Sequence, residues 1–197
     1  MPQFNIKSQN IEESYEHGFL PQRNDKNLFY LESSSRSNLS KFVLSSENRR
    51  ILRKTDDFTF EVIPIEKFSF NIEIQKQCYH WIKSLGWQFP ASSIKNVFTN
   101  HIFNFVYVWK DNVGHIAAYG LVYKTENISH IGYVFYNPEL THQNLPIRLV
   151  LQVIIDSHAQ NLKYCYLGRF SKENGFYKRT MPGFEYFENN NWIEYNK

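Results

Sequence analysis

The sequence predicts an α+β fold in which a mixed, mostly antiparallel sheet is flanked by helices. Three strand-like segments follow one another at residues 103–109, 115–123 and 130–136, separated by short turn-like linkers, which is the pattern of an antiparallel meander. The next segment, 144–161, is apolar on almost every face and therefore predicts a helix that is buried against the sheet. With 197 residues and 42% apolar content, the chain is long enough for one sizeable core.

Residues 1–60 predict an N-terminal extension, because they are polar and serine-rich. Residues 28–32 predict a short strand in this extension, and a basic helix follows. Ser45 or Ser46 is expected to cap that helix, since a serine oxygen accepts from the free amides of the first turn. Regular alternation begins only after the helix. We therefore assign the main domain to residues 61–197 and expect the whole chain to form one compact unit.

The helices of the main domain have recognisable ends. The alternating segment 58–64 predicts a strand, and a helix begins after it at Asn71. That helix repeats apolar residues at helical spacing and ends at Gly86, where a left-handed residue is expected. The central helix begins at Asn144, which we interpret as its cap, with Pro146 in the first turn.

The C-terminal segment completes the order of elements. A strand is predicted at 163–168, a second short helix around 172–179, and a closing hairpin from 184–187 and 192–195. The order after the N-terminal extension is therefore strand, helix, three antiparallel strands, central helix, strand, helix and terminal strands. This order matches the acyltransferase fold called GNAT, for Gcn5-related N-acetyltransferase.

Composition argues against several classes of protein. No apolar run reaches the roughly 18 residues of a membrane-spanning helix, and the N-terminus lacks the pattern of a signal peptide, so we expect a cytoplasmic protein without a membrane partner. Cys78 and Cys165 lie far apart, which predicts buried, reduced thiols. The histidines lack the spacing of a helical metal site, and His115 and His130, placed at strand starts, are interpreted as structural. No metal ion is predicted.

Four short motifs occur in one order along the chain. They are a serine followed by Arg49 and Arg50 within residues 42–54; Tyr136, Asn137 and Pro138; Tyr166, Leu167 and Gly168; and Tyr177 and Lys178 ahead of Pro182 and Trp192. Together these motifs resemble the aminoacyl-tRNA–protein transferases, the arginyl and bacterial leucyl enzymes of the N-degron pathway. The resemblance covers roughly two thirds of the chain.

The resemblance implies an aminoacyltransferase that moves an amino acid from an aminoacyl-tRNA to the N-terminal amine of a protein or peptide, as in protein arginylation, without a cofactor. The catalytic residues are expected to be Tyr177 and Tyr136. The residues expected to bind substrate are Arg49, Arg50, Asn137, Gly168, Arg169 and Lys178. Tyr177 would relay a proton to the leaving ribose hydroxyl, and the Lys178 ammonium would hold a phosphate or carboxylate.

The segment before the central helix bears on the acyl donor. Ordinary acetyltransferases of this fold bind the pyrophosphate of acetyl-CoA on a glycine-rich loop, because close backbone approach needs glycine. Residues 137–146 contain no glycine, and Pro146 lacks an amide proton, so acetyl-CoA is disfavoured. Aminolysis of an aminoacyl ester needs alignment and donors for the oxyanion, which backbone amides of residues 133–136 are expected to supply.

Other functions stay open at this point. One is an N-acyltransferase that uses acyl thioesters of CoA or of a carrier protein, and another is a non-catalytic protein that binds tRNA or a degron. The basic residues also have a plainer interpretation. The net charge is only +3, so Arg49 and Arg50 can form a solvated helix face, Tyr177 can be a packing residue and Lys178 a solvated cation.

Overall fold

The computed structural model describes residues 3–5, 11–171, 173 and 176–195. Its strands are β1 (Gln3–Asn5), β2 (Phe19–Pro21), β3 (Leu28–Leu31), β4 (Ser34–Asn38), β5 (Thr59–Pro64), β6 (Phe105–Lys110), β7 (Ile116–Lys124), β8 (Ile128–Tyr136), β9 (Tyr164–Arg169), β10 (Phe184–Glu188) and β11 (Asn191–Glu194). Its helices are α1 (Ile11–Glu16), α2 (Ser46–Lys54), α3 (Ile72–Ser84), α4 (Ala91–Thr99) and α5 (Leu145–Ala159). Short 3₁₀ helices cover Leu39–Lys41, Ile65–Lys67, Pro138–Gln143 and Lys178–Thr180.

Eight strands form the main sheet in the order β11-β10-β4-β9-β8-β7-β6-β5. Neighbouring strands are antiparallel except β8 and β9, which are parallel. Strands β1, β3 and β2 form a separate antiparallel sheet. The predicted class, α+β with a mixed, mostly antiparallel sheet flanked by helices, is confirmed.

The central strands of the main sheet are buried on both faces. Along β6, Tyr107 and Trp109 pack in one core layer with α5, whereas Val106 and Val108 pack in the other layer with α3 and α4. This division follows from the alternation of side chains along a strand. Helix α5 is buried along most of its length, as its all-round apolar sequence predicts.

Strands β8 and β9 pair only through the first three residues of each strand. Their last parallel pair is His130 with Tyr166. Directly beyond that pair each strand has an irregular register, at Gly132 against β7 and at Leu167 against β4. Such bulges bend a strand and increase its twist. The two strands therefore diverge towards their C-terminal ends, and a crevice opens between them.

Strand β4 comes from the polar, serine-rich part of the predicted N-terminal extension, yet it lies inside the main sheet between β9 and β10. Ser34, Ser35 and Ser37 are fully buried. The Ser35 hydroxyl donates to the Gly168 carbonyl at 2.8 Å, and that of Ser37 donates to the Pro182 carbonyl. These hydrogen bonds allow polar side chains to occupy a buried strand.

Most predicted ends agree with the structure. Ser45 caps α2 through a capping box with Asn48, and Gly86 has the left-handed conformation expected after α3. Asn144 differs from its prediction. It lies at the start of α5 with a φ of 63° and its side chain caps no backbone amide, because the preceding 3₁₀ helix already turns the chain into α5.

Two other parts of the sequence prediction differ from the structure or extend beyond it. Strands β1, β2 and β4 and helices α1 and α4 were not predicted. The strands and α1 are short, whereas α4 has Ile94, Val97 and Phe98 at helical spacing, a signal that the prediction overlooked. The second short helix, expected around 172–179, lies partly outside the described residues. Its described end belongs to the 3₁₀ helix Lys178–Thr180.

Candidate active site

The crevice between β8 and β9 contains a cavity of about 250 Å³. Its walls come from residues 131–135 of β8, Leu167, Gly168 and Arg169 of β9, Val150 of α5, Trp87 and Phe89 of the loop after α3, and Tyr177 with Lys178. Four residues that the sequence analysis named, Gly168, Arg169, Tyr177 and Lys178, thus share one cavity. The bulges separate β8 from β9 and so create the space that these four residues surround.

Lys178 is fixed at the end of β9. Its Nζ donates to the carbonyls of Leu167 and Arg169 at 2.6 and 2.5 Å. Gly168, which lies between them, has a φ of 75°, a conformation that glycine adopts without strain. The Asn48 amide of α2 donates to the Thr180 carbonyl at 3.0 Å and so ties α2 to the 3₁₀ helix that begins at Lys178.

Burial lowers the pKa of Lys178 to about 8. Lys178 is therefore an ammonium at neutral pH, but one that loses its proton more readily than an exposed lysine. Its two carbonyl partners and its position on the cavity wall present a positive charge to whatever enters the crevice.

We expect a pH-dependent effect of Lys178 on stability. Because its pKa in the folded protein is about 8 rather than 10.5, the unfolded chain binds more protons between these pH values, and folding is favoured as pH rises through this interval. The melting temperature of the wild type minus that of Lys178→Met should therefore increase between pH 8 and pH 10. A constant difference would contradict the lowered pKa.

Two tyrosines stand near each other at the mouth of the crevice. Tyr177 is 38% exposed. Burial, with a smaller contribution from Tyr136, raises its pKa to about 12. Tyr136 is 9% exposed, its pKa is also raised by burial, and its ring packs edge-on against Trp87 at 6.3 Å. Both phenols are protonated at neutral pH, and Tyr177 is the one that lines the cavity.

The other predicted binding residues have different surroundings. Arg169 is largely exposed at the crevice and pairs with Glu32 at 3.2 Å. Asn137 caps the 3₁₀ helix after β8 by accepting from the Glu139 amide at 3.1 Å. Its role as a substrate ligand remains a prediction.

Arg49 and Arg50 lie on α2 and are not among the described residues that line the cavity. The Arg49 guanidinium donates to the Leu44 carbonyl, and Arg50 Nε donates to Glu47 at 2.6 Å. Helix α2 nevertheless contacts the 3₁₀ helix that begins at Lys178, through the hydrogen bond from Asn48 to Thr180. Its arginines therefore stay candidates for contacts with a larger ligand that extends beyond the cavity.

His130 is a residue whose site the sequence analysis missed. It is not at the start of a strand but is the third residue of β8, and it is 3% exposed. Its Nδ1 shares a 2.6 Å hydrogen bond with the Tyr15 hydroxyl, whereas its Nε2 is buried and has no hydrogen-bond partner among the described residues. Leaving such an atom unpaired typically costs about 1–3 kcal/mol. Burial, followed by the charge of Lys178, lowers the pKa of His130 to about 3.

The connection from β8 to α5 differs from a phosphate-binding loop. It consists of the 3₁₀ helix Pro138–Gln143 and the left-handed Asn144, and Pro146 occupies the first turn of α5. The backbone amides are therefore not arranged around a glycine turn. In the described residues, no group of three or more His, Cys, Asp or Glu side chains could hold a metal ion.

The part of the chain that the structure describes contains no helix that combines the length and apolar character needed to cross a bilayer. Cys78 and Cys165 are buried free thiols, as predicted. Burial raises the pKa of both thiols, and that of Cys165 rises to about 12, so neither is an activated nucleophile.

A scan against protein-family models gave no match, and a search of curated proteins gave none either. Solved structures do match. The C-terminal domain of a protein described as a lysylphosphatidylglycerol synthetase, from Agrobacterium fabrum, aligns with a TM-score of 0.57 and 14% identity over 79% of this chain and 58% of its own. L-PGS from Bacillus licheniformis aligns with a TM-score of 0.50 and 15% identity over 92% of this chain and 64% of its own.

A third match is the GCN5-related glucosamine N-acetyltransferase region of a fungal multi-domain GH3 β-N-acetylglucosaminidase. It has a TM-score of 0.54 and 11% identity over 93% of this chain and 22% of its own. This chain thus spans less than two thirds of each of these three proteins. The similarity is one of fold, and it confirms the GNAT-like fold that the order of elements predicts.

Proposed function

We propose that this chain is an acyltransferase that moves an amino acid from an aminoacyl-tRNA to the N-terminal amine of a protein or peptide. The observation that carries the proposal is the wall of the crevice, where Lys178 and Tyr177 bring a cation and a protonated phenol together. A cation attracts the phosphates of the donor, and a phenol can give a proton to a leaving oxygen. The β8–α5 connection favours this donor over acetyl-CoA, because it offers no glycine turn for a pyrophosphate.

The reaction balances without a cofactor. The neutral amine attacks the ester carbonyl carbon, which forms a C–N bond and a tetrahedral oxyanion. Collapse of this intermediate breaks the C–O bond to the ribose, and one proton passes from the attacking nitrogen to the ribose oxygen. Tyr177 gives its proton to that oxygen and regains the proton that the nitrogen loses.

The names of two structural neighbours support the two halves of this proposal separately. Lysylphosphatidylglycerol contains an aminoacyl group joined to a lipid, so the Agrobacterium protein is named for aminoacyl transfer. A glucosamine N-acetyltransferase is named for acyl transfer to an amine. In this proposal, the aminoacyl donor and the amine acceptor both bind in the GNAT-like crevice that Lys178 and Tyr177 line.

The test is transfer of radiolabelled amino acid from a panel of aminoacyl-tRNAs to peptides with an acidic N-terminal residue. We expect transfer from at least one tRNA, and loss of transfer when the peptide amine is acetylated. No transfer across the whole panel would contradict the proposal. A rise in melting temperature with acetyl-CoA would favour the thioester alternative, and tRNA binding without turnover would favour a non-catalytic binding protein.

Replacing Arg49 and Arg50 with alanine is expected to weaken tRNA binding. Phosphate contacts release counterions, so the slope of log affinity against log salt should become shallower by about 1 to 2. The control is Lys67→Ala with Lys110→Ala, which removes the same charge from the 3₁₀ helix after β5 and from the end of β6. Equal effects of the two double variants would mean that Arg49 and Arg50 form a solvated helix face and do not contact tRNA.

A further inference from the structure

Two polar nitrogen atoms converge beside Gly168. The position that a Cβ atom would take at Gly168 lies 3.7 Å from His130 Nε2 and 4.0 Å from Lys178 Nζ. Apart from the adjacent residues, no other heavy atom of the described chain comes within 4 Å of this position. A ligand oxygen must lie farther from the backbone than this position, which is one bond length from the Gly168 Cα, and from there it can approach both nitrogens to hydrogen-bond distance.

The hydrogen bond to Tyr15 decides which ring nitrogen of His130 carries the proton. The Tyr15 hydroxyl is buried, and the described residues offer it no other hydrogen-bond partner. Its proton is satisfied when it donates to Nδ1, and Nδ1 must then be unprotonated. In this tautomer Nε2 carries the hydrogen and is a donor 3.7 Å from the position beside Gly168.

Lys178 supplies the second donor. Two of its three N–H bonds are used by the carbonyls of Leu167 and Arg169, and the third has no partner in the part of the chain that the structure describes. Gly168 and Lys178 line the cavity and His130 does not, so the position beside Gly168 lies at the cavity wall with the buried His130 Nε2 next to it. Both donors are preorganised, because each is held by hydrogen bonds to other parts of the fold.

We propose that His130 Nε2–H and the free N–H of Lys178 together bind the carbonyl oxygen of the aminoacyl ester and stabilise the oxyanion that forms on it. This inference rests on the proposed function and names the residues that handle the reacting oxygen. Gly168 admits the oxygen because it has no side chain at this position.

His130 is suited to donation and unsuited to general-base catalysis. With a pKa of about 3, the ring is neutral at pH 7 and too weakly basic to take a proton from an amine. A neutral imidazole with a lowered pKa can still polarise a carbonyl through its N–H. The donor pair also differs from the backbone amides of residues 133–136 expected from the sequence. All four residues are paired with β7, so their amides are in part used by the sheet.

The first test compares His130→Asn with His130→Gln. Asparagine can keep the hydrogen bond to Tyr15 but has no group at the position of Nε2, whereas the longer glutamine amide can place a donor there. We expect single-turnover transfer to fall by about 10²-fold in His130→Asn and to be largely retained in His130→Gln. Equal rates in both variants, with unchanged melting temperatures, would overturn the inference.

A binding measurement separates this inference from the proposed function. The probes are adenosine with a 3′ aminoacyl phosphonate, which is tetrahedral, and 3′-aminoacylamino-3′-deoxyadenosine, which keeps a planar carbonyl. We expect His130→Asn to weaken binding of the tetrahedral probe at least tenfold and that of the planar probe much less. If both probes bind and the variant affects them equally, the inference fails and the proposed function stands. If the wild type binds neither, both fail.

Gly168→Ala provides a second variant if His130→Asn does not fold. Its methyl group would occupy the position between the two donors and is expected to abolish the preference for the tetrahedral probe. The control is Gly114→Ala, which has a similarly positive φ of 89° but no heavy atom within 4 Å of the added methyl group. A retained preference in Gly168→Ala would overturn the inference.

Discussion

Replacing Glu185 with alanine is expected to lower the free energy of unfolding by about 3–5 kcal/mol, because the change leaves a buried guanidinium without its partner. Arg36 Nε donates to the Glu185 carboxylate at 2.9 Å, and both side chains are only 7% exposed. The guanidinium also lies 3.7 and 4.0 Å from the ring centroids of Tyr164 and Trp192, which hold it between β9 and β11.

Two variants make this prediction specific. Glu194→Ala removes a carboxylate that pairs with Lys41 at 2.8 Å but is 57% exposed, so it should cost at most about 1 kcal/mol. Arg36→Met combined with Glu185→Leu removes both charges and should recover much of the loss. Urea denaturation measures all three variants, and an effect of Glu185→Ala as small as that of Glu194→Ala would contradict the buried pair.

The Arg36–Glu185 pair also predicts that the free energy of unfolding decreases at acidic pH. Burial alone would raise the pKa of Glu185, but hydrogen bonds from Asn38 and Arg36 outweigh burial and lower it. A carboxylate with a lowered pKa stabilises the fold above its unfolded value, and this contribution is lost as pH falls through the folded value. Below about pH 4.5, the wild type should therefore lose its stability advantage over Glu185→Gln.

Replacing Tyr177 with phenylalanine is expected to slow single-turnover transfer by about 10²-fold or more, since general acid–base contributions are typically of that size. The raised pKa keeps the phenol protonated, which is the form that can give a proton to the leaving ribose oxygen. Tyr177 is 38% exposed, so loss of its hydroxyl should change the melting temperature little.

The matched control is Tyr79→Phe, which removes a hydroxyl of similar exposure, 40%, from α3 outside the cavity. It should change neither rate nor melting temperature. If Tyr177→Phe lowers the melting temperature and leaves the rate unchanged, Tyr177 is a packing residue and the proposed proton transfer is wrong.

The sequence predicts the meander β6–β8, the buried helix α5 and the closing hairpin well, because each has a strong local pattern. Gly168, Tyr177 and Lys178 were also found, since they belong to motifs that lie close together in the chain. The crevice itself depends on bulges at Gly132 and Leu167. A glycine within a strand can indicate a bulge, but Leu167 has no such signal.

Strand β4 shows why the rest could not be predicted. Its five residues, Ser34–Asn38, are all polar, and polar runs normally indicate exposed loops. Distant groups, such as the Gly168 carbonyl and the Glu185 carboxylate, satisfy four of these side chains, whereas the Ser34 hydroxyl is buried without a partner among the described residues. His130 was misread for the same reason, as its partner Tyr15 is 115 positions away.

The position of β4 in the sheet also constrains how the protein is made. Ser34 pairs with Arg169, so about 130 residues must follow β4 before its partner in β9 exists. At 5–20 residues per second, a ribosome needs roughly 7 to 26 s for that length. An apolar strand that stays unpaired for this time would tend to associate with other nascent chains. The serines of β4 keep the waiting segment hydrated, so the polar composition that conceals this strand in the sequence also protects it during synthesis.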